Sequence, residues 1–237
     1  MHIEPLETMI NILWALAGAA LLVPVAAGAR PAGAAQSRPV TTDTVSAVGP
    51  SPAATRVADW IAGSRDNHAL PYIIVDKLTA SLLMFDAKGQ SLGQVPVLIG
   101  IASGDDATPG IGSKNLAEIG PAEKTTPAGR FLAKFGRPIG KERILWVDYA
   151  TSVALHPIPP GASKKERRRQ RMLSPTPADN RITFGCINVP ATFYGKTLRP
   201  MFQRKGGYVY VLPDTKPLEV VFPRLRVQAL VEGGTAR

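Results

Sequence analysis

Cys186 is the one cysteine of the chain, and it stands in the stretch Ile182-Thr183-Phe184-Gly185-Cys186-Ile187-Asn188-Val189-Pro190. An ionised thiol is a potent nucleophile, and nearby backbone N–H groups favour ionisation and can receive an oxyanion. Directly after a glycine, where a strand gives way to a helix that Pro190 could open, the sulfur is expected to be exposed beside such groups. Its pKa is expected to be lowered there. Gly185 leaves room for a substrate backbone to approach. His156 lies thirty residues upstream at the end of an apolar run, and histidine is the side chain that titrates near neutrality unaided. The bland alternative is that a lone cysteine is a small buried hydrophobe. The glycine, the upstream histidine and the signs of export weigh against it.

Cysteine acyl transfer needs a sulfur, a base, a group that orients the base, and oxyanion donors. Cys186 supplies the sulfur and His156 the base. The N–H groups of Gly185 and Cys186 are the expected oxyanion donors. The orienting group is a backbone carbonyl near Pro157 or the hydroxyl of Thr183. Other chemistries lack their residues. There is no Ser-x-x-Lys, no Gly-x-Ser-x-Gly and no His-Glu-x-x-His. One cysteine and three scattered histidines do not build a zinc site, and the glycines of 100–120 lack the Lys-Ser/Thr of a phosphate loop. No metal and no cofactor is expected.

Residues 10–25 are apolar and uncharged, and small residues of the A-x-A kind follow them. That is the pattern of a signal peptide over residues 1–29. Glu4 and Glu7 with no Lys or Arg depart from its usual basic start. Met9 as the true start, or an uncleaved anchor over residues 10–27 as the only membrane contact, are the alternatives. Pro24 shortens the apolar stretch below the roughly 20 residues of a full span. Net charge is +10, and removal of those two acids with the leader raises it to +12. In an exported chain such charge points to the anionic cell envelope or periplasm, and not to nucleic acid.

Residues 30–50 are rich in Ala, Ser, Thr, Gly and Pro and read as a disordered linker. Residues 51–69 read as a short helix and connector, with Ser51 as N-cap, Pro52 first, and Val57, Trp60 and Ile61 on one face. His68 falls in the connector as a solvated residue. A catalytic domain spans 70–215. It opens as a meander over 72–75, 81–85 and 90–101, with a hairpin turn at Asp86-Ala87-Lys88-Gly89. Residues 100–127 form a glycine-rich loop long enough to be a flap over a site. Strands follow at 131–135, 144–149 and 152–156. A capping box at Ser163 opens a very basic helical turn over 164–171, either a solvated insertion or a lid for an anionic polymer. Residues 191–203 read as a helix broken by Pro200, and 208–212 as a strand. Residues 216–237 read as a C-terminal strand, at 220–222, and a tail. Short strands and many turns make the fold mainly β with a few short helices.

In that order these segments resemble the L,D-transpeptidase (YkuD-type) domain. The signature Thr183-Phe184-Gly185-Cys186-Ile187-Asn188 after an upstream histidine is similar to that family's catalytic motif. Val75-Asp76-Lys77, Leu82-Leu83-Met84-Phe85, Thr126-Pro127-Ala128-Gly129-Arg130-Phe131 and Tyr208-Val209-Tyr210-Val211-Leu212-Pro213 match it in sequence order. The resemblance implies a β-sandwich or barrel-like catalytic fold and a thioester mechanism on peptidoglycan stem peptides. Cys186 would attack the third stem residue, expel the terminal D-alanine and yield a 3→3 cross-link, with His156 as base. Gly185, Thr183 and Pro157 would support the oxyanion and the base, and Asn188 and Phe184 would meet substrate. Carbapenem-type inhibitors are implied as well. Phe184 stands where the family usually has histidine, Pro157 where a small residue is common, and the basic insertion lengthens the His156–Cys186 gap. An L,D-carboxypeptidase on the same scaffold, or a non-catalytic wall-binding module, are the alternatives.

Overall fold

A computed structural model describes residues 49–139, 142–162 and 164–226. The leader, all but the last two residues of the linker, Ser163 with its capping box, and the tail beyond 226 lie outside the described residues.

Ten strands are described: β1 (Tyr72–Asp76), β2 (Ser81–Phe85), β3 (Ser91–Pro96), β4 (Ile99–Gly100), β5 (Gly129–Ile139), β6 (Glu142–Asp148), β7 (Val153–Pro157), β8 (Arg181–Thr183), β9 (Ile187–Val189) and β10 (Gly207–Val211). Eight form one sheet in the order β3-β2-β1-β10-β5-β6-β7-β9, while β4 and β8 pair separately in parallel. The fold is mainly β and barrel-like. Beyond β3 the chain runs through Val97 to Leu98, which exchanges both backbone hydrogen bonds with Asn188 on the outer edge of β9. One stretch of chain therefore runs from one edge of the sheet to the other.

Alternation along the strands sorts two cores. Ile73, Val75, Leu82, Met84, Leu145, Leu155, Ile187 and Val209 point into the barrel with Val97 and Ile99. Tyr72, Ile74, Leu83 and Tyr210 point the other way, under helix α1 (Pro52–Ser64) with its Val57, Trp60 and Ile61. Strands covered on both faces read as continuous apolar runs, as β1 and β2 do. The Ser51 hydroxyl accepts the Ala54 N–H and caps α1, as the sequence leads one to expect. His68 is exposed, with its ring 5.7 Å from that of Tyr208.

Several sequence expectations are corrected. Residues 90–101 are two strands in different sheets, because the chain leaves β2 at Pro96 to reach β9 and then β8. The basic insertion is a 3-10 turn (Lys164–Glu166) and a short helix, α2 (Arg168–Met172), broken by Arg167 at φ +46°. The helical stretch after β9 begins at Ala191 with Pro190 in the N-cap position. Three residues, α3 (Ala191–Phe193), pass into a π-helical segment over Tyr194–Leu198 and then α4 (Arg199–Phe202). The widened turn precedes Pro200, whose missing N–H breaks the regular hydrogen-bond ladder. Residues 220–222 are not an edge strand. Leu218–Val221 is a short helix, α5, started by Pro217, and Leu218 and Val221 pack with Phe222 against the α1 layer.

Candidate active site

The parallel pairing of β7 with β9 sets Leu155 beside Ile187 and His156 beside Asn188. Leu155 and Ile187 face the barrel core. Alternation sends His156, Asn188 and, one step before Ile187, Cys186 to the opposite face. Thiol and imidazole therefore share one face of two neighbouring strands. The cysteine is reached by a tight link between β8 and β9, and not at a strand-to-helix junction.

Three residues, Phe184 to Cys186, form that link, and Thr183 at the end of β8 braces it. The Thr183 hydroxyl donates to the Cys186 carbonyl at 2.6 Å and accepts the Gly185 N–H at 3.2 Å. The Gly185 N–H, expected as an oxyanion donor, is thus engaged by Thr183, which leaves the Cys186 N–H as the donor beside the sulfur. Gly185 has φ +127°, and a Cβ there would lie 2.6 Å from the Thr125 carbonyl oxygen. The close approach that requires glycine is made by the chain's own backbone, where a substrate was expected. The end of the long loop backs the site rigidly: the Thr126 hydroxyl accepts from the Gly100 N–H and donates to the Gly185 carbonyl. Further along that loop, Gly112 packs on the Ala150 carbonyl, and its own carbonyl accepts from Ser152. The sulfur lies 3.7 Å from the Ser152 carbonyl, so the loop passes over the turn that adjoins the thiol.

His156 Nδ1 is 2.7 Å from the Pro157 carbonyl. A carbonyl only accepts, so Nδ1 carries the proton and Nε2 keeps the lone pair. Of the two orienting groups considered, it is the Pro157 carbonyl that holds the ring. The Asn188 amide nitrogen is 3.5 Å from Nδ1 and 3.4 Å from Nε2, and Asn188 is fully buried.

Burial first, and then the charge of Arg168, lower the His156 pKa from its ordinary 6.5, against the Pro157 carbonyl, which raises it. Burial raises the Cys186 thiol above its ordinary 9.0, although the Ala154 backbone and the Arg168 charge favour the thiolate. The expected lowering of the thiol pKa is therefore corrected: loss of water outweighs the N–H dipoles. At rest the pair is neutral imidazole and thiol, with the S–H directed to the Ser152 carbonyl.

Sequence reasoning missed Arg168. It reaches out of the basic insertion to donate Nε to Glu166 at 2.8 Å and Nη1 to the side-chain Oδ1 of Asn188 at 3.0 Å. A run of like residues gives no signal of which one turns inward. Phe184, two residues before Cys186, is exposed, with Lys124 Nζ 3.7 Å over its ring. Among the described residues no cluster of His, Cys, Asp and Glu could hold a metal ion.

The molecule is thus a barrel-like, mainly β body with an imidazole on β7 and a thiol just before the adjacent β9. Among solved structures, the chain is similar to the L,D-transpeptidase of Xylanimonas cellulosilytica, at 14% identity over 60% of each chain with a TM-score of 0.35. It is similar to the helical cell shape determining protein Pgp2 of Campylobacter jejuni, at 14% identity and a TM-score of 0.43, covering 67% of this chain and 56% of that one. It is also similar to the catalytic domain of an E. faecium L,D-transpeptidase, at 18% identity and a TM-score of 0.33, covering 60% of this chain and 95% of that one. The chain thus spans well under two thirds of the first two. No protein-family model matches the sequence, and no curated protein does.

Proposed function

We propose that this chain is a cysteine acyltransferase of the cell envelope that forms 3→3 cross-links between peptidoglycan stem peptides through a Cys186 thioester. The observation that carries this reading is the β7–β9 register, which gives His156 and Cys186 a common face with the imidazole lone pair on Nε2.

The thiol turns from the Ser152 carbonyl toward Nε2, and the sulfur attacks the carbonyl of the third stem residue. The S–H proton passes to Nε2 as the S–C bond forms, and the oxyanion takes the Cys186 N–H. Collapse breaks the C–N bond, and the imidazolium returns its proton to the departing D-alanine amine. A side-chain amine of a second stem then attacks the thioester and loses its proton to His156. Sulfur leaves, and the cross-link is made. Water in place of that amine gives the carboxypeptidase outcome. A low imidazole pKa suits both steps, since the ring stays neutral as a base and its conjugate acid gives up the proton readily.

The test is mass spectrometry of disaccharide tetrapeptides incubated with purified protein. Cross-linked dimers with loss of D-alanine are expected, and Cys186→Ala should lower turnover on the order of 10⁴-fold or more while the chain still folds. Tripeptide without dimer would reassign the activity to hydrolysis. Turnover retained in the alanine variant would rule out the thioester. A carbapenem should add to Cys186 in the parent chain and to nothing in the variant.

A further inference from the structure

We infer that Arg168 is the carboxylate receptor of this site: its guanidinium takes the free carboxylate of the residue that leaves when Cys186 is acylated. The inference rests on the acyltransferase reading and deepens it, because it makes the basic insertion a specificity element.

The argument starts from placement. Of the six Lys and Arg residues in 164–171, Arg168 bonds to a residue of the catalytic face, Asn188. Its side chain is only 14% exposed. Asn188 in turn touches the His156 ring. The guanidinium is therefore one side chain away from the base. Its charge is felt at the sulfur and at the imidazole alike, each being drawn toward its deprotonated form.

Chemistry selects the ligand. Guanidinium is a rigid planar fork with five N–H donors, and its geometry matches a carboxylate. Glu166 and Asn188 hold two of those donors, which fixes the plane of the fork. Glu166 lies two residues from Arg168 in the same insertion and is partly exposed, so it steadies the cation locally. The carboxylate of a C-terminal leaving residue lies three bonds from the scissile carbonyl carbon, within about 3.8 Å, one residue's length of chain. An anion so close to the reacting carbon needs a cation beside the thiol and base. Lys124 is a second cation to consider, and its ammonium lies on the ring of Phe184, two residues before Cys186.

The test uses the full chain with Cys186→Ala, so that nothing turns over, and calorimetric titration with two probes. One is a stem tetrapeptide ending in D-alanine with a free carboxylate, and the other is the same peptide as its C-terminal amide. The acid should bind about 10- to 100-fold more tightly, as a charge-assisted pair lost from one probe predicts. Adding Arg168→Gln should abolish that preference and leave the amide affinity unchanged, which also shows the variant to be folded. Arg168→Lys should keep a weakened preference, since a point charge replaces the fork. A preference that survives Arg168→Gln, or disappears only in Lys124→Gln, overturns the assignment. So does an equal loss for acid and amide in both Arg168 variants, which would make the residue a positioning group for Asn188. If neither probe binds the Cys186→Ala chain, the acyltransferase reading itself falls and takes this inference with it.

Discussion

Two regions of this molecule bury titratable groups, and they do so to opposite ends. Lys77, Asp105 and Asp214 are almost wholly withdrawn from water, yet Lys77 donates to the Gly104 and Thr126 carbonyls and to Asp105, and lies 3.4 Å from Asp214. Asp105 also accepts the backbone N–H groups of Asp214, Thr215 and Lys216 and the Thr215 hydroxyl, while Arg181 holds Asp214 at 2.7 Å. Burial pushes the Asp105 carboxyl up, but the Asp214, Lys216 and Thr215 N–H groups and the Lys77 ammonium hold it well below the ordinary 3.8. Each of these groups has partners, and at Asp105 they outweigh burial, so its charged form wins. At Cys186 and His156 the partners are few and burial favours the neutral forms. A saturated network ties chain together, whereas a sparsely partnered pair keeps protons it can exchange.

The network joins the end of β1, the start of the long loop, the segment after β10 and, through Arg181, the strand leading to Cys186. Removing its cation should be the larger injury to the fold. Lys77→Ala leaves two carboxylates buried without their ammonium and should cost about 3–5 kcal/mol, read as a drop in urea midpoint. Cys186→Ala, the largest loss of activity, should leave that midpoint close to the parent's. A Lys77→Ala chain that unfolds at the parent's midpoint would remove the contrast.

Gly185 lies where the two regions meet, on the link between Arg181 and the thiol. An alanine there must adopt φ +127° and place its methyl 2.6 Å from the Thr125 carbonyl. The strained backbone alone costs about 1–3 kcal/mol. Gly185→Ala should therefore lower the midpoint less than Lys77→Ala, while lowering turnover more than its stability cost alone would, because the link that moves carries the proposed nucleophile. Parent-like turnover per folded molecule would show that the thiol tolerates a displaced link.

Much of the molecule is legible from residue order. The N-cap of α1, the apolar runs of β1 and β2, and the choice of Cys186 and His156 as candidates follow from local pattern, which needs no knowledge of distant contacts. What could not be read depends on long-range pairing. Val97 to Gly100 look like the end of β3 because alternation continues through them, but their partners lie near residues 181–188. Val220 to Phe222 are β-prone, yet Pro217 and the apolar layer over Tyr210 favour one helical turn. The thiol's acidity is missed for the same reason: N–H groups near a cysteine can be anticipated from Gly185, while the desolvation that outweighs them depends on packing. Arg168 is a further case, since the backbone reversal at Arg167 selects which arginine turns inward.

The smallest effect sharpens the comparison most, because it separates chemistry from stability by pH alone. The competent pair holds one proton, shared in effect between sulfur and ring. Below the His156 pKa, which lies under 6.5, the ring is cationic and cannot act as base. Above the Cys186 pKa, which lies over 9.0, the pair has lost the proton the departing amine requires. Turnover efficiency should thus be flat across roughly pH 7 to 8.5 and fall on both sides. The fold behaves differently. Asp105 has a depressed pKa in the native state, so its contribution is present above the ordinary carboxylate range and lost only as pH falls through that lower value. As pH falls below 6.5 and through the His156 pKa, activity should therefore decline while circular dichroism is unchanged, with full recovery on return to pH 7.5. Alkylation of Cys186 by iodoacetamide should be slow at pH 7 and accelerate only above pH 9, since the resting sulfur is a thiol. Rapid alkylation at pH 7, at a rate independent of pH down to 5, would mean that a thiolate–imidazolium pair is already formed. It would also mean that the site resembles Asp105 in having its charged form favoured despite burial.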